Sequence, residues 1–324
     1  MSPLDNKFMA RALKLATLGG RDVAPNPMVG AVIVKNGKII GEGYHKKFGG
    51  PHAEVNAIKS VKNKKDLIGA TIYATLEPCR HHGKTPPCFD LIKSVGISKI
   101  ICGSRDPFQV GVRTPLESGL QILKGPIANQ CRDLNKFYFT WITKKRPFIT
   151  VKVAVSADGF VAGENGQPVH ITSKKQDIEV HKLRAEHQAI MVGSNTVLTD
   201  NPHLGVRLVK GKDPLRIILD SKLRIPVNAK VLRSKDVLIA TTQQADKMKI
   251  EKLKLKNYEV WISPTKTKVC LKRLLKHLAK QGISSVLVEP GPTLYKVLKK
   301  EKLIDELIVF KGRKKIKQGL PISL

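Results

Sequence analysis

Apolar residues in the first half of the chain form short runs separated by turn-forming residues. The run over residues 30–34 is followed by a polar segment containing Asn36-Gly37, and an apolar stretch resumes at residue 39. Asn-Gly between two apolar runs is typical of a tight β-hairpin. We therefore predict a hairpin here, then a helix over residues 53–60 and strands over residues 71–76 and 97–103. An amphipathic helix is predicted to begin near Asp5.

The same alternation of strands and helices continues beyond the basic segment at residues 144–147. Helices are predicted over residues 174–184 and 269–281. Strands that alternate with helices indicate an α/β sheet. A chain of 324 residues is long enough for two domains with separate cores, and we place them at residues 1–146 and 147–324. The strands predicted for the second domain cover residues 148–154, 189–193, 215–219, 237–241, 259–262, 286–289 and 306–310.

His52-Ala53-Glu54, Pro78-Cys79 and Pro87-Cys88 form the candidate catalytic motif. Catalytic zinc takes three protein ligands and keeps one position open for water. His52, Cys79 and Cys88 supply three such ligands, and Glu54 would move protons beside them. The order matches the zinc-deaminase signature H-x-E followed by P-C-x-x-C, except that eight residues separate the cysteines. The alternative interpretation is a surface H-x-E and two ordinary buried thiols.

The residues around this motif predict where its ligands lie. His52 would lie in the first turn of the helix over residues 53–60. Pro78 suits the first turn of a further helix, which would place Cys79 near a helix N-terminus. Such a position favours a thiolate. His81 and His82 are competing ligands, although a substrate contact or a structural role in the loop is the preferred interpretation.

The composition is unusual only in its charge. The chain has 58 Lys and Arg against 26 Asp and Glu, a net charge of +32. Such an excess suggests nucleic-acid binding. The lysines are spread along the chain, however, and aromatic residues make up only 5%, which leaves few stacking platforms. We therefore interpret the charge as lysine enrichment of the surface and expect no specific nucleic-acid partner.

Three further features concern location. No apolar stretch approaches the length of about 18 residues that indicates a membrane span. The N-terminus lacks the apolar core of a signal peptide. The five cysteines show no disulfide-framework spacing, which favours a reducing compartment. We expect a cytoplasmic protein without a membrane partner.

Four segments resemble the bifunctional riboflavin-biosynthesis deaminase/reductase family. They cover residues 25–30, 43–45, 51–57 and 75–88, the last with the H-H-G-K-T-P-P run between the cysteines. This long insert is typical of that family and not of cytidine deaminases or tRNA adenosine deaminases. The resemblance extends over nearly the whole chain. It implies an α/β chain in which a cytidine-deaminase-like three-layer domain precedes a dihydrofolate-reductase-like α/β domain.

The resemblance also implies the chemistry. Zinc-activated water would replace an amine of the diamino-ribosylamino-pyrimidinone 5′-phosphate by oxygen, with Glu54 as the catalytic acid and base. NADPH would then reduce the ribosyl group to ribityl. Asn26 and His45 are candidate base or sugar contacts, and Lys84 and Thr85 are candidates for the 5′-phosphate. A homo-oligomer is expected.

In the second domain the resemblance implies substrate contacts at Arg184, Arg207 and Glu289. Residues 191–196 and 289–294 join a strand to a helix through small residues, which lets backbone N–H groups approach phosphate. No G-x-G-x-x-G is present, so a Rossmann domain is not supported. The implied cofactor-binding residues are Ala154, His170, Thr196, Asp200, Ser221, Gly291, Pro292, Thr293 and Leu294.

Three departures from the family pattern bear on this interpretation. Pro168 replaces a serine that contacts substrate, and His170 replaces a cofactor-side tryptophan. The loop over residues 106–111 is shortened. The chain ends at Leu324, before the terminal strands expected for the reductase sheet, and the basic residues 311–317 are poorly suited to a buried strand. A deaminase whose reductase half serves only as a structural module is therefore an alternative. A nucleic-acid deaminase is another, although its C-x-x-C is absent.

Overall fold

The structure is a computed structural model that describes residues 3–81, 86–109, 120–122 and 126–322. The chain divides into two compact units, Met1–Lys145 and Arg146–Leu324. Each unit has its own sheet and its own apolar core. No helix among the described residues combines the length and apolar character that crossing a bilayer requires.

The first unit forms a five-stranded sheet with helices on both faces. The helices and strands of its described residues are α1 (Pro3–Ala16), β1 (Gly30–Lys35), β2 (Lys38–Tyr44), α2 (Ala53–Ser60), β3 (Thr71–Ala74), α3 (Cys88–Ser94), β4 (Lys99–Cys102), β5 (Leu120–Ile122), α4 (Pro126–Leu134) and α5 (Lys136–Lys144).

The strand order of this sheet is β2-β1-β3-β4-β5. Strand β1 runs antiparallel to β2 and β3, whereas β3, β4 and β5 are parallel. Successive side chains of a strand face opposite sides of a sheet. Ile33 and Ile72 accordingly pack with residues of α2 and α3, and Val32 and Tyr73 pack with residues of α1 and α4. The first unit is therefore a three-layer α/β/α domain, as the family resemblance implies.

Helix α2 approaches β2 closely because Gly43 has no side chain. A Cβ atom on Gly43 would lie 2.3 Å from the backbone nitrogen of Ala57 and 2.6 Å from the carbonyl oxygen of Ala53. His52 is the N-cap residue of α2, one position before its first turn, and Glu54 lies within that turn. The close contact with β2 therefore fixes the position of the helix end that carries both residues.

The second unit is built around a seven-stranded parallel sheet. Its described elements are β6 (Phe148–Val155), β7 (Phe160–Gly163), α6 (Lys174–Glu186), β8 (Ala189–Gly193), α7 (Ser194–Asp200), β9 (Leu215–Leu219), β10 (Val237–Thr241), α8 (Lys247–Leu255), β11 (Glu259–Ile262), α9 (Leu271–Lys280), β12 (Ser285–Val288), α10 (Pro292–Lys300), β13 (Glu306–Lys311) and β14 (Gly319–Pro321).

The strand order of the large sheet is β11-β10-β9-β8-β12-β6-β13, and every pair is parallel. Residues of α9 and α10, such as Leu274 and Tyr295, pack on one face, and residues of α8, such as Ile250, pack on the other. The carboxyl ends of β6, β12, β8 and β9 meet at one edge. Ligands of open α/β sheets bind at this kind of edge.

The basic segment after β13 forms neither helix nor strand over residues 312–318. The carboxylate of Asp158 accepts hydrogen bonds from the backbone N–H groups of Ile316 and Lys317. Strand β14 then pairs with β7 in a separate two-stranded sheet, while β13 pairs with β6 at the edge of the large sheet. The prediction that residues 311–317 do not form a buried strand is consistent with this arrangement.

One local prediction is wrong, namely the helix expected at Pro78. Residues 77–81 form no helix, and α3 begins instead at Cys88, with Pro87 as its N-cap. Backbone groups of this segment make tertiary hydrogen bonds: the N–H of Glu77 donates to the carbonyl of Ser104, and the side-chain amide of Gln109 donates to the carbonyls of Glu77 and Pro78. Cys88 rather than Cys79 therefore lies at a helix N-terminus.

Candidate functional site

His52, Cys79 and Cys88 converge at the N-terminal ends of α2 and α3 and form a candidate metal centre. Nδ1 of His52 lies 3.6 Å from Sγ of Cys79 and 3.3 Å from Sγ of Cys88. A tetrahedral zinc ion with ordinary Zn–S and Zn–N bonds has ligand–ligand separations of about 3.5–3.8 Å. All three ligand atoms lie within 4.8 Å of one another. The residues present therefore fit a zinc ion with one open position.

The two thiols of the centre shift each other's pKa in opposite directions. A hydrogen bond with Cys88 lowers the pKa of Cys79 to about 4, with His52 contributing in the same direction. That interaction and burial raise the pKa of Cys88 in turn. Two adjacent thiolates repel each other unless a cation lies between them. The pair is thus suited to a divalent metal with thiolate ligands.

Glu54 is buried beside the metal centre. Its side chain is 4% exposed, and burial raises the pKa of its carboxyl group. The carboxyl group interacts with the Cys88 thiol, and Glu54 lines a cavity of about 310 Å³ together with His52 and Cys79. A carboxyl group whose pKa is raised binds a proton more readily than an ordinary carboxylate and can pass it on to a leaving group.

Asn26 and His45 form a second polar group in this cavity. Nδ1 of His45 lies 3.0 Å from the carbonyl oxygen of Pro51, so Nδ1 carries the hydrogen. Nε2 is then an acceptor, and the amide nitrogen of Asn26 donates to it at 3.2 Å. Burial lowers the pKa of His45, which favours this neutral form. The pair therefore presents the Asn26 amide in a fixed orientation.

Asp106 and Tyr138 also line the cavity, and the sequence motifs predict no role for either residue. The hydroxyl of Tyr138 donates to the carboxylate of Asp106 at 2.9 Å. Burial raises the pKa of both groups. Tyr138 lies on α5, 32 residues after Asp106, so no local pattern signals their contact. Lys84 and Thr85, the candidates for the 5′-phosphate, lie outside the described residues, as does His82.

A larger cavity of about 880 Å³ lies at the carboxyl edge of the sheet in the second unit. It is bounded by residues in the carboxyl-terminal half of β6 and by residues that follow β8, β9 and β12. His170 at its border is mostly exposed, and its Nε2 lies 3.4 Å from the carboxylate of Asp177. The residues expected to bind the cofactor all line this cavity: Ala154, His170, Thr196, Asp200, Ser221, Gly291, Pro292, Thr293 and Leu294.

Glu289 lies in the same cavity and forms a charged cluster with Lys152 and Arg184. Its carboxylate accepts hydrogen bonds from Nζ of Lys152 at 3.2 Å and Nε of Arg184 at 2.8 Å. Burial by itself would raise the pKa of Glu289, but the two cations outweigh it and lower the pKa to about 2. The carboxylate is therefore charged at neutral pH. The sequence motifs predict no role for Lys152.

Arg207 lies close enough to His181 to affect its pKa, as does Arg184. Its side chain is exposed, and its backbone N–H donates to Nδ1 of His181 at 2.9 Å. Burial and the charges of Arg184 and Arg207 lower the pKa of His181. Neither arginine lines the large cavity. The structure thus brings the two arginines into one neighbourhood, beside the cavity rather than in its wall.

Two family models match the chain. Residues 2–104 match the cytidine and deoxycytidylate deaminase zinc-binding region, and residues 147–312 match the RibD C-terminal domain. These matches correspond to an N-terminal cytidine-deaminase-like domain and a C-terminal dihydrofolate-reductase-like domain with a parallel sheet. The reductase domain is therefore present as a folded unit.

Similar proteins cover almost the whole chain. The riboflavin biosynthesis protein RibD of Aquifex aeolicus is 41% identical over 99% of this chain and 90% of its own length. RibD of Escherichia coli is 38% identical over 94% of this chain and 87% of its own length. The crystal structure of a diaminohydroxyphosphoribosylaminopyrimidine deaminase/5-amino-6-(5-phosphoribosylamino)uracil reductase from Thermotoga maritima has a TM-score of 0.84 and 38% identity, and covers 98% of this chain and 89% of that one. The chain therefore belongs to the RibD family and is a bifunctional deaminase and reductase of riboflavin biosynthesis.

Proposed function

We propose that the first unit deaminates 2,5-diamino-6-ribosylamino-4(3H)-pyrimidinone 5′-phosphate. We further propose that the second unit reduces the ribosyl group of the resulting 5-amino-6-(5-phosphoribosylamino)uracil with NADPH. The observation that carries the proposal is the convergence of His52, Cys79 and Cys88 in zinc-like geometry beside the buried Glu54. The Thermotoga maritima protein is named for activities of this kind.

In this proposal His52, Cys79 and Cys88 would hold zinc, which when bound would acidify the water molecule that serves as the nucleophile. Glu54 accepts a proton from the attacking water and delivers a proton to the departing amine, so that water and amine become carbonyl and ammonia. The raised pKa of Glu54 supports both transfers. The Asn26 amide, oriented by His45, contacts the base or the sugar. Lys84 and Thr85 are retained as the proposed contacts to the 5′-phosphate.

The second unit, in this proposal, holds an extended cofactor along the carboxyl edge of its sheet. NADPH supplies the hydride, and the chain orients it. The nine cofactor residues of the large cavity form the cofactor site, including the turn from Gly291 into α10, whose N-terminus favours phosphate. Glu289 contacts the substrate, and Arg184 and Arg207 hold its phosphate through their guanidinium groups.

The direct test is mass spectrometry of the products formed from the diamino pyrimidinone phosphate by zinc-loaded protein, with and without NADPH. Replacement of an amine by oxygen without cofactor, followed by uptake of two hydrogens with NADPH, is the expected result. Deamination alone would mean that the Pro168 and His170 changes have disabled the reductase. Neither step in the presence of zinc would overturn the proposal and favour the nucleic-acid deaminase.

Two variants separate metal binding from proton transfer. Glu54→Gln should keep zinc and lower the deamination rate by about 10²- to 10⁴-fold, because it removes the proton carrier alone. Cys88→Ser should lose zinc and deamination together. Cys131→Ser, which changes a buried cysteine of α4 outside the centre, should retain both. Near-normal turnover in Glu54→Gln would show that another group moves the protons.

We also propose that the protein works in the cytoplasm as a homo-oligomer. The two cysteine ligands must stay reduced to bind zinc, and a reducing compartment keeps them so. Light scattering of the purified protein tests the assembly. A monomer at the concentrations that support activity would contradict it.

A further inference from the structure

The large cavity of the second unit contains an arginine that the proposed function does not use. Arg224 follows β9, three residues after Ser221, and its side chain lines the cavity. Lys152, at the β6 end of the cavity, is paired with Glu289. Arg224, by contrast, forms no ion pair with an acidic side chain in the described part of the chain. It therefore provides an uncompensated positive charge at the β9 end.

The guanidinium of Arg224 is held by neutral groups. Its Nη2 donates to Oγ of Ser194 at 2.9 Å and to Oδ1 of Asn195 at 2.6 Å. These oxygens lie just after β8 and fix the direction of the side chain without neutralising it. Within the described residues, no protein acceptor takes its remaining N–H groups. An arginine oriented in this way loses little side-chain entropy when it binds an anion.

Arg224 lies where one end of an extended dinucleotide would bind. The cavity extends from Ala154 on β6, past the start of α10 at β12, to Ser221 and Arg224 after β9. Strands β6 and β9 are three inter-strand steps apart in the sheet, which is about 14 Å. With the nicotinamide at β6 and the pyrophosphate at the N-terminus of α10, the adenosine half lies at β8 and β9. Its ribose then lies beside Arg224.

We propose that Arg224, oriented by Ser194 and Asn195, binds the 2′-phosphate on the adenosine ribose of NADPH and thereby selects NADPH over NADH. This inference rests on the proposed reductase function. NADH has a hydroxyl at this position, which gains little from a cation, whereas a phosphate monoester carries nearly two negative charges. A nearby arginine accommodates the same phosphate in other dinucleotide-binding folds.

The test uses ligands that differ only in this phosphate. Calorimetry compares NADPH with NADH, and 2′,5′-ADP with 5′-AMP, on the full zinc-loaded chain. Arg224→Gln should weaken binding of NADPH and of 2′,5′-ADP by about 10- to 100-fold, the range of a lost charge-assisted hydrogen bond. Affinity for NADH and 5′-AMP should stay unchanged. Lys222→Gln is the matched control, because it removes one exposed charge two residues away, outside the cavity, and should leave all four affinities unchanged.

Kinetics and a conservative variant separate this role from a structural one. Arg224→Gln should raise the KM for NADPH and keep kcat at saturating cofactor, and Arg224→Lys should restore part of the preference. An equal loss for NADPH and NADH, or equal affinity of the wild-type chain for both, would overturn the role of Arg224 while leaving the reductase assignment intact. If the wild-type chain bound neither nucleotide, the proposed function itself would fail.

Discussion

The side-chain amide of Gln109 supports the segment that leads into Cys79, and its loss should weaken zinc binding. Gln109 is buried, and its Nε2 donates to the carbonyl of Pro78 at 3.2 Å and to that of Glu77 at 3.4 Å. Gln109→Met keeps the length of the side chain and removes the donor. Both carbonyls would then lose this partner one and two positions before a zinc ligand.

The size of the effect follows from these two contacts. A buried polar group left without its partner costs about 1–3 kcal/mol. Both bonds are long, so the lower end of that range applies, or about 2 kcal/mol for the pair. Because Cys79 follows directly, we expect about 1–2 kcal/mol of this to appear as weaker zinc binding, which is about 5- to 30-fold in affinity. Residues that support metal ligands commonly show effects of this size.

The assay is competition for zinc with a chromogenic chelator, combined with thermal unfolding of the zinc-free and zinc-loaded protein. Gln109→Met should lower the unfolding temperature more with zinc than without, because a ligand stabilises the folded state according to its affinity. Gln130→Met, at an exposed position on α4, is the matched control. Equal losses in both forms, with unchanged zinc affinity, would refute the reasoning and make Gln109 a purely structural residue.

Three further predictions concern charge, cofactor contact and backbone packing. The pKa of Glu289 is about 2 in the folded chain, below its ordinary value of 4.5. The charged carboxylate therefore stabilises the folded unit at pH values above 4.5, and this contribution is lost as the pH falls towards 2. Urea midpoints of wild type and Glu289→Gln should therefore differ at neutral pH and converge near pH 2; a constant difference would contradict this. His170→Trp should strengthen NADPH binding by about 2- to 10-fold, because the indole ring would contact the cofactor. Fluorescence quenching measures the affinity. An unchanged affinity would mean that the side chain at position 170 does not contact the cofactor. Gly43→Ala should displace α2 and slow deamination by about 100-fold. Gly193→Ala is the control and should not slow deamination, because its Cβ atom would meet nothing within 4 Å. Normal turnover in Gly43→Ala would show that Glu54 tolerates the shift of the helix.

Local sequence patterns were sufficient for most of the strands. The apolar runs that predict β8 and β10 are almost continuous because both faces of a parallel sheet are covered by helices. The Asn36-Gly37 turn has the positive φ angles that a tight hairpin requires. Strands β7 and β14 were not predicted, because each is short and half exposed and is defined only by its pairing with the other.

The site was predictable where short sequence motifs identify its residues. His52, Glu54, Cys79 and Cys88 are recognisable because a fixed reaction requires those residue types in that order. The helix expected at Pro78 was wrong because long-range hydrogen bonds, including those of Gln109, determine the backbone there. The contact of Tyr138 with Asp106 likewise arises from tertiary packing. No pattern in the sequence alone signals such contacts.

The order of strands in the large sheet has a consequence for synthesis of the chain on the ribosome. Strand β6 is the first of its sheet to be made, yet it pairs only with β12 and β13, the last two strands of that sheet. At about 5–20 residues per second, roughly 7–30 s pass before those partners exist. Ile149, Val151 and Val153, all buried in the finished protein, have no sheet partner during this interval. We expect nascent chains that end before β12 to bind chaperones through β6, and to release them once β13 has emerged.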